Sequence, residues 1–94
     1  MGFYCYILLC VDNTFYTGWT TDPLRRERQH NQGKGAHYTR TRRPVKLVYT
    51  ESLPDRSAAM RRERAIKALS RGQKASLIEA WRNTCPVFPL PPGG

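Results

Sequence analysis

The chain opens on a dense apolar run, Phe3-Tyr4-Cys5-Tyr6-Ile7-Leu8-Leu9-Cys10-Val11. Its aromatic, β-branched and aliphatic side chains predict a buried strand. Asp12-Asn13 marks a turn, and Phe15 to Thr20 reads as a second strand. Asp22-Pro23 announces a helix, with Asp22 as N-cap and Pro23 at the first helical position. That helix is expected to reach about Gln32, where Gly33 stops it. Gly33 to Pro44 is too polar for core and too basic for an incidental linker. Val45 to Glu51 then alternates, with Val45, Leu47 and Tyr49 on one side and Lys46, Val48 and Thr50 on the other, and predicts a third strand. A second helix starts near Asp55 or Ser57 and runs to Leu69. Ser70 and Gln73 have capping-box spacing and open a third helix through about Trp81.

The order is ββαβαα, an α+β arrangement in which a three-stranded sheet is flanked by helices. Residues 1–83 are expected to form one domain, and the Pro/Gly-rich stretch 84–94 to be a disordered tail. Hairpin register decides the positions of Tyr6 and Tyr16. A two-residue turn at Asp12-Asn13 would place them on opposite faces. A three-residue loop, Asp12 to Thr14, would pair Val11 with Phe15 and Cys10 with Tyr16, so that Tyr6, Cys10 and Tyr16 share a face. The odd-length loop, or an equivalent bulge, is expected.

Charge adds a partner class. The net charge is +9, and it is unevenly spread. Residues 1–24 hold no Lys or Arg, residues 25–46 hold eight against the single acid Glu27, and residues 56–74 hold seven against Glu63. Such a surface on a small domain favours a polyanion, with nucleic acid ahead of an anionic membrane. A membrane-surface helix would carry bulky apolar residues opposite its basic face, and the helix near Leu24 has almost none. No stretch is long and apolar enough to span a bilayer, and no secretory leader is recognisable, so the chain reads as soluble and cytoplasmic. The three cysteines, Cys5, Cys10 and Cys85, are odd in number and form no C-x-x-C pair, which argues against a disulfide framework and a zinc site.

Candidate chemistry is sparse but ordered. Arg26 and His30 are four apart and share a helix face. A guanidinium holds phosphate oxygens, and an imidazole hydrogen-bonds or moves a proton near neutral pH. Both also suit an ordinary polar helix face. Glu63 falls along the stripe of Ala59, Ile66 and Leu69, where a carboxylate needs a partner. That partner is either a cation or one of Arg62, Arg64 and Lys67. Mg²⁺ is often held by one or two carboxylates plus substrate phosphate. Tyr6 and Tyr16 are either plain sheet aromatics or hydroxyls that reach water and phosphate. There is no P-loop, dinucleotide fingerprint or H-E-x-x-H, and no acidic cluster for a two-metal site.

Taken in order, these residues resemble the GIY-YIG nuclease family, and more narrowly its small stand-alone, single-domain bacterial branch. Tyr4-Cys5-Tyr6 stands in the place of the first motif and Tyr16-Thr17-Gly18 in that of the second. Arg26 follows Gly18 by eight residues and His30 follows Arg26 by four. Gly33 to Arg40 and Ala59 to Glu63 look typical of the branch. The resemblance implies an antiparallel sheet and hydrolysis of DNA phosphodiesters with a single Mg²⁺ or Mn²⁺ ion, in DNA repair or processing. Carried over, Glu63 binds the metal, Tyr16 activates water, Tyr6 supports it, Arg26 neutralises phosphate charge, and His30 hydrogen-bonds or moves a proton. Trp19 stands where some relatives carry a lysine, and the asparagine of some longer relatives has no clear counterpart, Asn83 being a poor one. The branch is linked to single-stranded DNA, with duplex as the alternative. Trp19 and Tyr38 are candidates for stacking on bases, and Lys34, His37, Arg40, Arg42 and Arg43 for backbone contact. No membrane and no small-molecule cofactor are expected. The rival reading is a non-catalytic nucleic-acid-binding module or adaptor on the same fold.

Overall fold

The computed structural model describes residues 2–84. Cys85 and the proline-rich stretch expected to form a tail lie outside the described residues. The elements are β1 (Phe3–Leu9), β2 (Phe15–Thr20), α1 (Pro23–Asn31), α2 (His37–Arg40), β3 (Lys46–Leu53), α3 (Arg56–Lys67) and α4 (Arg71–Thr84). The sheet is antiparallel in the order β2-β1-β3, so the apolar β1 is central and paired on both edges.

Local signals set the helix starts. The Asp22 carboxylate accepts from the Arg25 amide at 3.2 Å, and Asp55 accepts from the Ala58 amide at 2.8 Å. Ser70 and Gln73 exchange reciprocal side-chain bonds of 3.2 and 2.9 Å, a complete capping box. Gly33 ends α1 with φ of +81°, a conformation that costs glycine little.

The hairpin loop has odd length, one residue nearer the N-terminus than expected. The Asn13 amide donates to the Cys10 carbonyl at 2.9 Å and the Cys10 amide to Thr14 at 2.8 Å, with Asn13 at φ +70°. This is a turn followed by a left-handed residue, a common three-residue hairpin connection. Tyr16 therefore pairs with Leu8 rather than with Cys10, and Tyr6 with Gly18. A two-residue slide preserves facing, so Tyr6, Cys10 and Tyr16 do share one side.

The third strand departs from simple alternation. The β1–β3 register shifts between Ile7 and Leu8, whose partners are Tyr49 and Leu47, so a bulge absorbs Val48. The extra residue flips the facing beyond it. Val45 and Leu47 pack with Tyr6, Leu8 and Cys10, whereas Tyr49 packs on the other side with Cys5, Ile7, Ile66 and Ile78. The expectation that Val45, Leu47 and Tyr49 share a side is corrected by this bulge. The sheet thus separates two apolar clusters, with α3 and α4 covering the Cys5–Ile7 side.

On the opposite side, α1 docks through polar groups. Glu27 accepts from the Leu47 amide at 2.7 Å, and the Asn31 amide side chain both donates to and accepts from the Val45 backbone at 3.0 and 2.6 Å. These bonds satisfy β3 backbone at the bulged end and explain how a helix with little apolar surface holds its place.

Candidate active site

Tyr6, Tyr16 and His30 come together on the α1 side of the sheet. Tyr6 is 1% exposed and His30 fully buried. The Tyr6 hydroxyl lies 3.1 Å from His30 Nε2. The Tyr16 ring centroid is 5.2 Å from that of His30 and 6.4 Å from that of Tyr6. Position within α1 aims the imidazole inward, while pairing with Gly18 lets the Tyr6 phenol pass over β2. A Cβ on Gly18 would stand 2.6 Å from the Tyr6 hydroxyl oxygen. Glycine in the second motif is therefore a steric requirement of the first-motif tyrosine.

The short helix α2, absent from the sequence-based reading, supplies the remainder of the histidine's shell. Thr39, fully buried, has its hydroxyl 2.7 Å from His30 Nδ1 and donates to the Ala36 carbonyl at 3.0 Å. A hydroxyl has one proton, so with that proton on Ala36 the Thr39 oxygen receives Nδ1–H. Nε2 is then the acceptor for the Tyr6 hydroxyl. Gly35 lies against the same ring, where a Cβ would meet Nδ1 at 2.2 Å. In the sequence neither Thr39 nor Gly35 stands out for this role, because the whole stretch is too polar to read as core. Its spacing offered no periodic signal. The two glycines, Gly33 and Gly35, were the only hint.

Burial pushes the Tyr6 phenol up to about 12, with the Arg26 guanidinium beside it pulling the other way and the Tyr16 and Glu63 charges adding to the rise. Burial, with the positive charge of Arg26, lowers His30 to about 4. The resting pair is thus a neutral phenol donating to a neutral imidazole. Arg26 is half-buried and donates to the Gln29 side chain at 3.0 Å.

Glu63 approaches from elsewhere. Its helix α3 covers the opposite side of the sheet, anchored by Ala59, which accepts from the Cys5 thiol at 3.1 Å, and by Ile66. Tyr6 and Tyr16 therefore do not share a face with both Arg26 and the helix of Glu63. Even so, the Glu63 charge raises both Cys5, on one side, and Tyr6, on the other. The carboxylate is 22% exposed and pairs with Lys67 at 3.3 Å. Arg62, a rival partner on sequence grounds, is bound instead to Glu51 at 2.8 Å. Among the described residues no group of three His, Cys, Asp or Glu side chains converges. A lone, partly exposed carboxylate fits a divalent ion that takes its other ligands from water and phosphate. Glu63 is the residue that would hold it, and such an ion would polarise a phosphoryl oxygen.

The outer residues are variously engaged. Tyr38, 37% exposed, stacks on Tyr16 at 6.1 Å, and the Arg42 guanidinium lies 3.9 Å over the Tyr38 ring. Arg42 also pairs with Asp12 at 3.0 Å and donates to the Tyr38 carbonyl. Arg43 donates to the Arg40 and Asn31 carbonyls. Trp19 packs against Phe3 with Arg56 above its ring. Lys34, His37 and Arg40 are exposed. Asn83 lines a groove of about 430 Å³ with Leu9, Phe15 and Val48, on the side away from Tyr6.

Residues 2–75 match the GIY-YIG catalytic domain. The chain belongs to the GIY-YIG family. It is 57% identical over 76 residues to the UPF0213 protein SH2523 of Staphylococcus haemolyticus, covering 81% of this chain and 93% of that protein. It is 53% identical over 75 residues to the UPF0213 protein NP_0776A of Natronomonas pharaonis, covering 80% and 88%. Two solution NMR structures share the fold. The UPF0213 protein BH0048 of Bacillus halodurans is 44% identical with a TM-score of 0.56, covering 96% of this chain and all of that one. The protein EF2693 of E. faecalis is 45% identical with a TM-score of 0.59, covering 87% and 88%. The matched span includes Tyr6, Tyr16 and His30.

Proposed function

We propose that the chain is a divalent-metal-dependent DNA endonuclease using a single ion on Glu63. The observation that carries this is the meeting of Tyr6, Tyr16 and His30 beside Arg26, within reach of the Glu63 charge. In this reading Arg26 neutralises charge that builds on the phosphate, the term that usually contributes most. Tyr16, whose hydroxyl has no fixed partner among the described residues, is the group that activates water. Tyr6, its proton donated to His30, packs beside Tyr16 and positions it. The resemblance leans to single strands, but Tyr38, a candidate for base stacking, is already stacked on Tyr16 and lies under the Arg42 guanidinium. Single-stranded and duplex DNA therefore both belong in the proposal. A cytoplasmic setting accords with Cys5 and Cys10 being free and buried, and no described helix is long and apolar enough to cross a membrane.

The test incubates labelled single-stranded and duplex DNA with Mg²⁺, Mn²⁺ or chelator, beside Glu63→Ala. Metal-dependent cleavage that disappears in the variant is the expected result. Binding without cleavage under every metal would instead establish the non-catalytic module.

A further inference from the structure

The outer face of α1 has a composition that the docking of the helix does not explain. Glu27, His30 and Asn31 face the sheet and are spent on Leu47, Tyr6 and Val45. Arg25, Arg28, Gln29 and Gln32 recur at i, i+3, i+4 and i+7, which places them on one stripe of the helix. The stripe carries no acid. Lys34 continues it past the helix end, held by its amide bond to the Gln29 carbonyl at 2.9 Å.

Two open grooves run along this stripe. One, of about 450 Å³, is lined by Trp19, Thr20, Asp22, Arg25, Arg26 and Gln29 among others. The other, of about 340 Å³, is lined by Arg25, Arg28, Gln29, Gln32 and Lys34. They share Arg25 and Gln29 and so adjoin along the helix, together a shallow trough flanking that pair from Arg26 to Lys34. Its one carboxylate, Asp22, already caps α1 through the Arg25 amide. Arg25, Arg28 and Lys34 are exposed and in no ion pair among the described residues. Elsewhere Arg42 pairs with Asp12, Arg62 with Glu51 and Lys67 with Glu63, while Arg40, Arg61 and Arg64 are exposed and in no ion pair among the described residues either, so it is the grooves that single out the α1 stripe.

We infer that this trough is the track for the sugar–phosphate backbone on one side of the reacting phosphate, with Arg25, Arg28 and Lys34 as its phosphate contacts. The inference rests on the nuclease reading above and extends it to a surface and a mode of recognition. The nine residues of α1 rise about 14 Å, the axial length of about four phosphates of one strand. Cations and amides make up most of the trough, and the one aromatic at its edge, Trp19, is in contact with Phe3 and Arg56. Such a surface contacts phosphates without reading bases. Strand state should then matter little to binding.

The experiment measures anisotropy of a fluorescein-labelled oligonucleotide, single-stranded and as a duplex, with the full chain in chelator, between about 50 and 200 mM salt. Three proteins are compared: the native chain, Arg25→Gln/Arg28→Gln, and Arg61→Gln/Arg64→Gln on the exposed face of α3. The α1 pair is expected to weaken binding to both probes in parallel and to lower the magnitude of the salt slope by about two. The α3 pair is expected to leave the slope unchanged. If the α3 pair carries the slope change, or the α1 pair changes nothing while the native chain binds, the track is wrong and the nuclease reading stands. Loss confined to the single strand overturns backbone-only recognition. Absence of binding by the native chain to both probes overturns the track, and the metal-dependent cleavage assay then decides the nuclease reading by itself.

Discussion

The Tyr6 hydroxyl and His30 Nε2 face each other at 3.1 Å in a nearly water-free interior, joining the central strand to the first helix. Thr39 holds the other ring nitrogen at 2.7 Å. The first-motif tyrosine is therefore hydrogen-bonded to a histidine whose tautomer is set from behind, and its proton stays in place in the resting protein.

Thr39→Val leaves His30 Nδ1 without its acceptor at nearly constant volume. An unsatisfied buried polar group costs about 1–3 kcal/mol. Thr39→Ser keeps the hydroxyl and is expected to recover most of that loss. Urea unfolding reads the difference as a shift of midpoint at constant slope. Equal stability of the Val and Ser variants would show that the hydroxyl does not hold the ring.

Two glycines are required for steric reasons. Gly18→Ala puts a Cβ 2.6 Å from the Tyr6 oxygen, and Gly35→Ala puts one 2.2 Å from His30 Nδ1. Neither ring has room to withdraw, so each variant is expected to lose about 1–3 kcal/mol through overpacking. Gly72→Ala, with nothing within 4 Å of the added atom, is the control and should be neutral or better. Thermal unfolding of the three variants checks the order.

Acid is expected to destabilise the fold through His30. Its folded value of about 4 lies below the ordinary 6.5. Between these values the unfolded chain binds the extra proton, so stability falls as pH drops from about 6.5 to about 4. The contribution at stake is at most about 3 kcal/mol, at 1.36 kcal/mol per pH unit. Unfolding free energy measured across that range for the native chain and His30→Gln should diverge, the variant showing the flatter profile.

Tyr16→Phe and Arg26→Ala are each expected to lose roughly 10²- to 10⁴-fold in cleavage rate while keeping the fold. Single-turnover assays with saturating protein separate rate from binding. A Tyr16→Phe chain that cuts at the native rate would move the water-activating role away from Tyr16.

Much of the architecture was legible because its signals are local. Asp22, Asp55 and the Ser70–Gln73 box act within three residues, and Gly33 acts on its own φ. Loop parity was legible too, because Tyr6 and Tyr16 stay on one side under any slide of two residues. The facing of Tyr49 was not. A bulge at Val48 depends on which carbonyls and amides Glu27 and Asn31 reach, and those lie 14 to 20 residues away in sequence. Thr39 looked like one more polar residue in a basic loop, and only the approach of His30 makes it core.

By itself the sequence determined the order of the three strands and of every helix but α2, the helix caps and the shared side of the two tyrosines. All of these follow from contacts within a few residues or from counting along the chain. Tertiary structure alone decided that Gly35 and Thr39 enclose His30, that Tyr38 stacks on Tyr16, and that Glu63 comes from the helix behind the sheet. Those outcomes depend on how the segment after α1 folds back and on which surfaces are pressed together when the two apolar clusters close, and neither is encoded in a periodic pattern.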